Sequence, residues 1–134
     1  MGKSILMVDD DKDFIYSLKA FFEARGYEVR TAHNGADGKK EVDKALPDII
    51  TLDVMMDTDA DGFNLAFDLK NNEATRNIPI IILSGFTDHL KDKANSFEFI
   101  MGNDWPATEY IKKPASLVTI SAAVDRLLAQ VNAE

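Results

Sequence analysis

Three short runs in this sequence, ILMV at 5–8, DIITL at 48–52 and IPIIIL at 78–83, are apolar almost without interruption. A strand with one wet face alternates apolar and polar residues. An unbroken apolar run of this length requires cover on both faces, which is how strands of a parallel sheet read when helices lie above and below them. The runs therefore narrow the fold before any other feature is weighed. Strands are expected over Ser4–Val8, Tyr27–Thr31, Asp48–Leu52, Pro79–Leu83 and Glu109–Lys112.

Helical patterns fill the intervals. Asp11 can cap a helix whose stripe is Phe14, Leu18, Phe21 and Phe22, with Gly26 ending it. Asn34–Leu46 is a weaker pattern, because Gly38 interrupts it. Phe63, Ala66, Phe67 and Lys70 recur at helical spacing within Gly62–Asn72, and 87–101 turns abruptly apolar at FEFIM. Leu117, Ile120, Val124, Leu127, Leu128 and Val131 form a regular stripe within Ala115–Ala133. Strand followed by helix, five times over, predicts an α/β fold. It is a flavodoxin-like doubly wound five-stranded parallel sheet with five helices and strand order 2-1-3-4-5. A length of 134 residues suits one domain, 1–134, with no output domain in this chain.

In such sheets the reactive crevice lies beyond the carboxyl ends of the strands. Strand one ends in Asp9, Asp10 and Asp11, strand three in Asp53, strand four in Ser84 and strand five in Lys112, Lys113 and Pro114. Carboxylates gathered at one edge repel each other, and a hard divalent cation such as Mg²⁺ relieves the conflict through oxygen ligands. A carboxylate is also a nucleophile towards phosphorus, and a metal, a lysine and a hydroxyl can neutralise the oxygens being transferred. The formal net charge of -8 argues against a nucleic-acid surface, and the absence of cysteine removes thiolate chemistry. No leader or bilayer-spanning run is visible, so a cytoplasmic location is expected.

The stretches ILMVDDD, PDIITLD, DGFNL, IPIIILSG and YIKKP, in this order, resemble the receiver domain of response regulators in two-component signalling. The resemblance implies a role for each matching position. Asp53 would accept the phosphoryl group. Asp9, Asp10, Asp53 and the backbone carbonyl of Met55 would bind Mg²⁺. Ser84 would hydrogen-bond the phosphoryl group, Lys113 would pair with it, and Ser84 and Tyr110 would switch inward together. Lys113–Pro114 would be cis. A sensor histidine kinase or histidine phosphotransferase would donate the phosphoryl group. An unidentified downstream protein would read the face made by the helix over 87–101, the fifth strand and the last helix. Neither nucleic acid nor membrane is expected as a partner, and the chain is expected to be a regulator rather than a metabolic enzyme. The alternative is a pseudo-receiver that binds proteins without being phosphorylated.

Two stretches depart from that pattern. MMDTDADG follows Asp53 with Asp57 where proline is usual, and SFEFIMGNDWPA, covering the inserted 97–107 and the lone Trp105, lengthens the approach to strand five. Asp57-Thr-Asp59-Ala-Asp61-Gly62 also matches the opening of a calcium loop. A strand rather than a helix precedes it, and the receiver pattern uses Asp61-Gly62 to open the third helix. His33 and His89 stand alone and suggest neither metal binding nor catalysis.

Overall fold

The computed structural model describes residues 3–53, 61–84, 109–112 and 116–132. Five strands, β1 (Ser4–Val8), β2 (Glu28–Ala32), β3 (Ile49–Leu52), β4 (Ile80–Ser84) and β5 (Glu109–Lys112), form one sheet. Its order is β2-β1-β3-β4-β5 and every adjacent pair is parallel, as expected. The helices are α1 (Lys12–Ala24), α2 (Gly35–Lys44), α3 (Asp61–Lys70) and the C-terminal helix α4 (Leu117–Asn132), the fifth in the sequence reading. The helix expected over 87–101 lies outside the described residues, as does the stretch 97–107.

The continuous apolar runs are explained by two cores, one on each face. Ile5, Met7, Ile49, Ile81 and Leu83 meet Leu18 and Phe22 of α1 and Ile120, Val124, Leu127 and Leu128 of α4. Leu6, Val8, Ile50, Leu52, Ile80 and Ile82 point the other way, onto Val42 of α2 and Leu65, Ala66 and Leu69 of α3. Alternation along each strand thus sends successive apolar side chains to opposite cores.

The chain is punctuated by identifiable caps. Asp11 accepts the Phe14 N–H at α1, and Gly26, with φ of 92°, closes the turn after it in the left-handed region that suits glycine. Asn34 caps α2 by accepting the Asp37 N–H at 2.7 Å. At the other end of α2, the Arg30 guanidinium donates to the carbonyls of Glu41 and Ala45. The Glu41 carbonyl also accepts the Ala45 N–H at 3.3 Å, so the guanidinium adds a second donor there and a donor at the Ala45 C-cap, where the helix supplies fewer of them.

Two expectations need revision. Among the α3 side chains described, 65–70, Leu65, Ala66 and Leu69 are buried, whereas Phe67 and Lys70 are only half-buried. A spacing of three or four fits either stripe, and contact with β1 and α2 selects between them. Gly38 is not a weakness in α2 but a point of close approach. A Cβ there would stand 2.9 Å from Leu65 Cδ2 and 3.0 Å from Val8 Cγ2.

Candidate functional site

The order β2-β1-β3 reverses direction between β1 and β3, because the chain winds outward from β1 first one way and then the other. The crevice at such a reversal is where open α/β sheets bind ligands. Here it is walled by carboxylates. Val8 pairs with Leu52 at the last rung, and the ladder continues one residue further. The Asp53 N–H donates to the Val8 carbonyl at 2.8 Å, and the Asp9 N–H donates to the Ala32 carbonyl at 3.0 Å. Both acids therefore sit on backbone fixed by the sheet.

Asp9, Asp10 and Asp53 each present a carboxylate oxygen, and these oxygens all lie within 4.8 Å of one another. Asp9 is 3% and Asp53 5% exposed, whereas Asp10 faces solvent. Among the described residues this is the group of acids arranged to hold a metal ion. Burying carboxylates is costly unless a cation or hydrogen bonds compensate. One such bond is explicit: the Asp11 N–H donates to Asp9 Oδ1 at 2.9 Å. An all-oxygen, triply anionic donor set with one open, hydrated side suits a hard divalent cation, Mg²⁺ among them, that keeps some of its waters.

The structure brings together the three sequence-predicted acids. Ser84 ends β4 opposite Lys112, and Tyr110 lies in β5 opposite Ile82, so both have the backbone position expected of them. Met55, Lys113 and the Lys113–Pro114 bond lie outside the described residues, as do His89 and positions 57–60 of the calcium-like loop. Asp61 does open α3, as the receiver pattern requires.

His33, isolated in the sequence, lies beside the site. Its Nδ1 lies 3.3 Å from the Asp9 carbonyl oxygen, so it touches the site through backbone rather than as a ligand. Only the β1–β2 pairing, in which Val8 faces Ala32, could have exposed this proximity.

Fold and crevice together define a flavodoxin-like α/β domain with an acidic, metal-competent switch point. The chain belongs to the response regulator receiver domain family of two-component systems, which it matches over residues 5–125. It is 31% identical to the protein PilH of Pseudomonas aeruginosa, over 93% of this chain and 97% of that one. It is also 31% identical to the alkaline phosphatase synthesis transcriptional regulatory protein PhoP of Bacillus subtilis, over 96% of this chain. The chain spans only 49% of PhoP, and 26% of the response regulator PleD of Caulobacter vibrioides, to which it is 35% identical. Among solved structures it resembles the signal receiver domain of a signal transduction histidine kinase from Syntrophus aciditrophicus. That likeness has a TM-score of 0.82 at 32% identity, covering 97% of this chain and 92% of that one.

Proposed function

We propose that this domain takes a phosphoryl group onto Asp53 from a phosphohistidine of a sensor kinase or phosphotransferase, and that the modified domain controls a partner protein. The observation that carries the reading is the approach of Asp9, Asp10 and Asp53 to within 4.8 Å at the switch point of a receiver-family sheet. Asp53 is the acid at the end of β3, and its ladder bond to Val8 holds the backbone from which its carboxylate projects. That is the preorganisation a nucleophile needs.

In the transfer, a carboxylate oxygen of Asp53 forms a bond to phosphorus as the bond from phosphorus to the donor nitrogen breaks. The departing imidazole takes up a proton. Bound Mg²⁺, held by Asp9, Asp10, Asp53 and the carbonyl of Met55, would supply neutralising charge for the acids and the phosphoryl oxygens. Lys113 would bring a second positive charge to those oxygens, and the Ser84 hydroxyl would donate a hydrogen bond to one of them, the roles the family resemblance implies. That last bond would draw Ser84 and Tyr110 inward and shift the population of the face that the resemblance assigns to 87–101, β5 and α4, for a partner to read. The domain is thus a cytoplasmic regulator whose only turnover is its own phosphorylation and dephosphorylation. Among the described residues no helix is long and apolar enough to cross a membrane.

Incubation with acetyl phosphate and Mg²⁺ followed by intact mass measurement tests the reading. One labile phosphoryl adduct is expected, absent from Asp53→Asn. A folded wild-type protein that takes no adduct, yet still binds a kinase, would instead be a pseudo-receiver.

A further inference from the structure

We infer that Asp11 is a positioning residue for the metal site, acting through Asp9 rather than as a ligand. This rests on the phosphoacceptor reading above. Three bonds converge on Asp11. Its N–H donates to Asp9 Oδ1 at 2.9 Å, its carboxylate accepts the Phe14 N–H at 3.1 Å, and its carbonyl accepts the Ile15 N–H at 3.0 Å. The last two tie Asp11 to the first turn of α1, a helix whose Ile15, Leu18 and Phe22 are buried. The first ties the Asp9 carboxylate to Asp11. The orientation of a buried metal-site acid is thereby coupled, through two successive hydrogen bonds, to the seating of a core helix. Asp11 itself is exposed and stands outside the group of acids whose oxygens converge.

A carboxylate held by an outer partner offers its remaining oxygen lone pairs in one direction, and loss of that partner widens the range it samples. Losing the cap releases the extended backbone at Asp11, now at φ -83° and ψ 98°, and lets its N–H leave Asp9. The metal should then bind more weakly although every ligand is intact.

The test measures Mg²⁺ affinity from amide shifts of Asp10 and Asp53 in four proteins: wild type, Asp11→Ala, Asp11→Gly and Asp11→Asn. Hydrogen exchange at the Asp11 amide without metal is measured beside it. Alanine and glycine remove the acceptor, and glycine is tolerated at a helix start, so it keeps the test open if the alanine variant is unstable. Asparagine keeps the acceptor and removes the charge. The expected result is roughly tenfold weaker Mg²⁺ binding and faster Asp11 exchange in the alanine and glycine variants, with the asparagine variant within about twofold of wild type. Unchanged affinity in both the alanine and glycine variants would overturn the inference. So would equal weakening in the asparagine variant, which would make the Asp11 charge the active element. Phosphorylation of the wild type by acetyl phosphate runs in parallel. If it fails, the phosphoacceptor reading falls and takes this inference with it; if it succeeds, the affinities judge Asp11 alone.

Discussion

Asp53→Asn should make the metal-free protein more stable. Three carboxylate oxygens lie within 4.8 Å of one another, and two of the acids are buried. At an effective dielectric of about 20, two unit charges at that distance repel by about 3 kcal/mol. Asp53 takes part in two such pairs. Solvent around exposed Asp10 screens one of them, and hydrogen bonds such as Asp11 N–H to Asp9 offset part of the burial cost. Asparagine is nearly isosteric and leaves the backbone bond to Val8 in place. A net gain of about 2 kcal/mol follows, worth roughly 6–10 °C in Tm for a domain of this size. The assay is thermal unfolding in chelator, repeated with Mg²⁺ at many times its dissociation constant. Binding to the folded state alone raises wild-type stability by about 2.7 kcal/mol at a hundredfold excess. The same addition should raise Asp53→Asn much less, so the two melting points converge. Equal melting points in chelator, or an equal rise with Mg²⁺ in both proteins, would refute the premise that repulsion at Asp53 is relieved by the cation.

Gly38→Ala should destabilise by about 1–2 kcal/mol despite alanine's better helix propensity. Its methyl would press on stiff Val8 and buried Leu65, and denaturant unfolding at unchanged m-value checks it. Arg30→Met should cost about 1–2 kcal/mol by removing the guanidinium donors from the Glu41 carbonyl and the Ala45 C-cap carbonyl, visible as a lower urea midpoint with the Mg²⁺ response preserved. Tyr27, partly buried and hydrogen-bonded to Asp125, has its phenol pKa pushed up to about 12. Its contribution is therefore complete below pH 10 and lost as pH rises from about 10 towards 12. Tyr27→Phe should flatten that alkaline fall in stability, and an unchanged profile would place the cause elsewhere.

What the sequence made legible, and what it hid, divides along the range of the interactions involved. The runs at 5–8, 48–52 and 78–83 announce double-sided burial because burial is a local demand on each strand, and Asp11, Asn34 and Gly26 announce helix ends because caps bond within a few residues. Asp9, Asp10 and Asp53 could be gathered on paper because parallel strands of a doubly wound sheet deliver their carboxyl ends to one edge. The Arg30 clamp on α2, the close approach at Gly38 and the contact of His33 with Asp9 were hidden. Each depends on which helix lies over which strand and at what height. On α3, periodicity offered Phe63, Ala66, Phe67 and Lys70; the side chain of Phe63 lies outside those described, and over 65–70 packing buries Leu65, Ala66 and Leu69, because a helix stripe is free to rotate until a neighbouring surface fixes it.

The exposure of the three acids assigns them different tasks. Asp9 and Asp53 are almost fully buried and their backbones continue the hydrogen-bond ladder one residue past the strands, so neither can retreat when repelled. Asp10 is exposed on the loop between β1 and α1. A cation approaching with its hydration shell would therefore meet Asp10 first and give up waters to the buried pair afterwards, a reasonable sequence for an ion that sheds water reluctantly. The geometry that makes the acids repel one another is also what readies them for a cation. Two carboxylates held close by an inflexible sheet cannot relax apart, and each gains most when positive charge arrives between them. The stability lost to that repulsion is supplied by the two apolar cores flanking β1 and β3, whose Ile5, Leu6, Ile49, Ile50 and Leu52 are completely buried. A site of this kind needs central strands covered on both faces, which is the property first visible as an unbroken run of apolar residues.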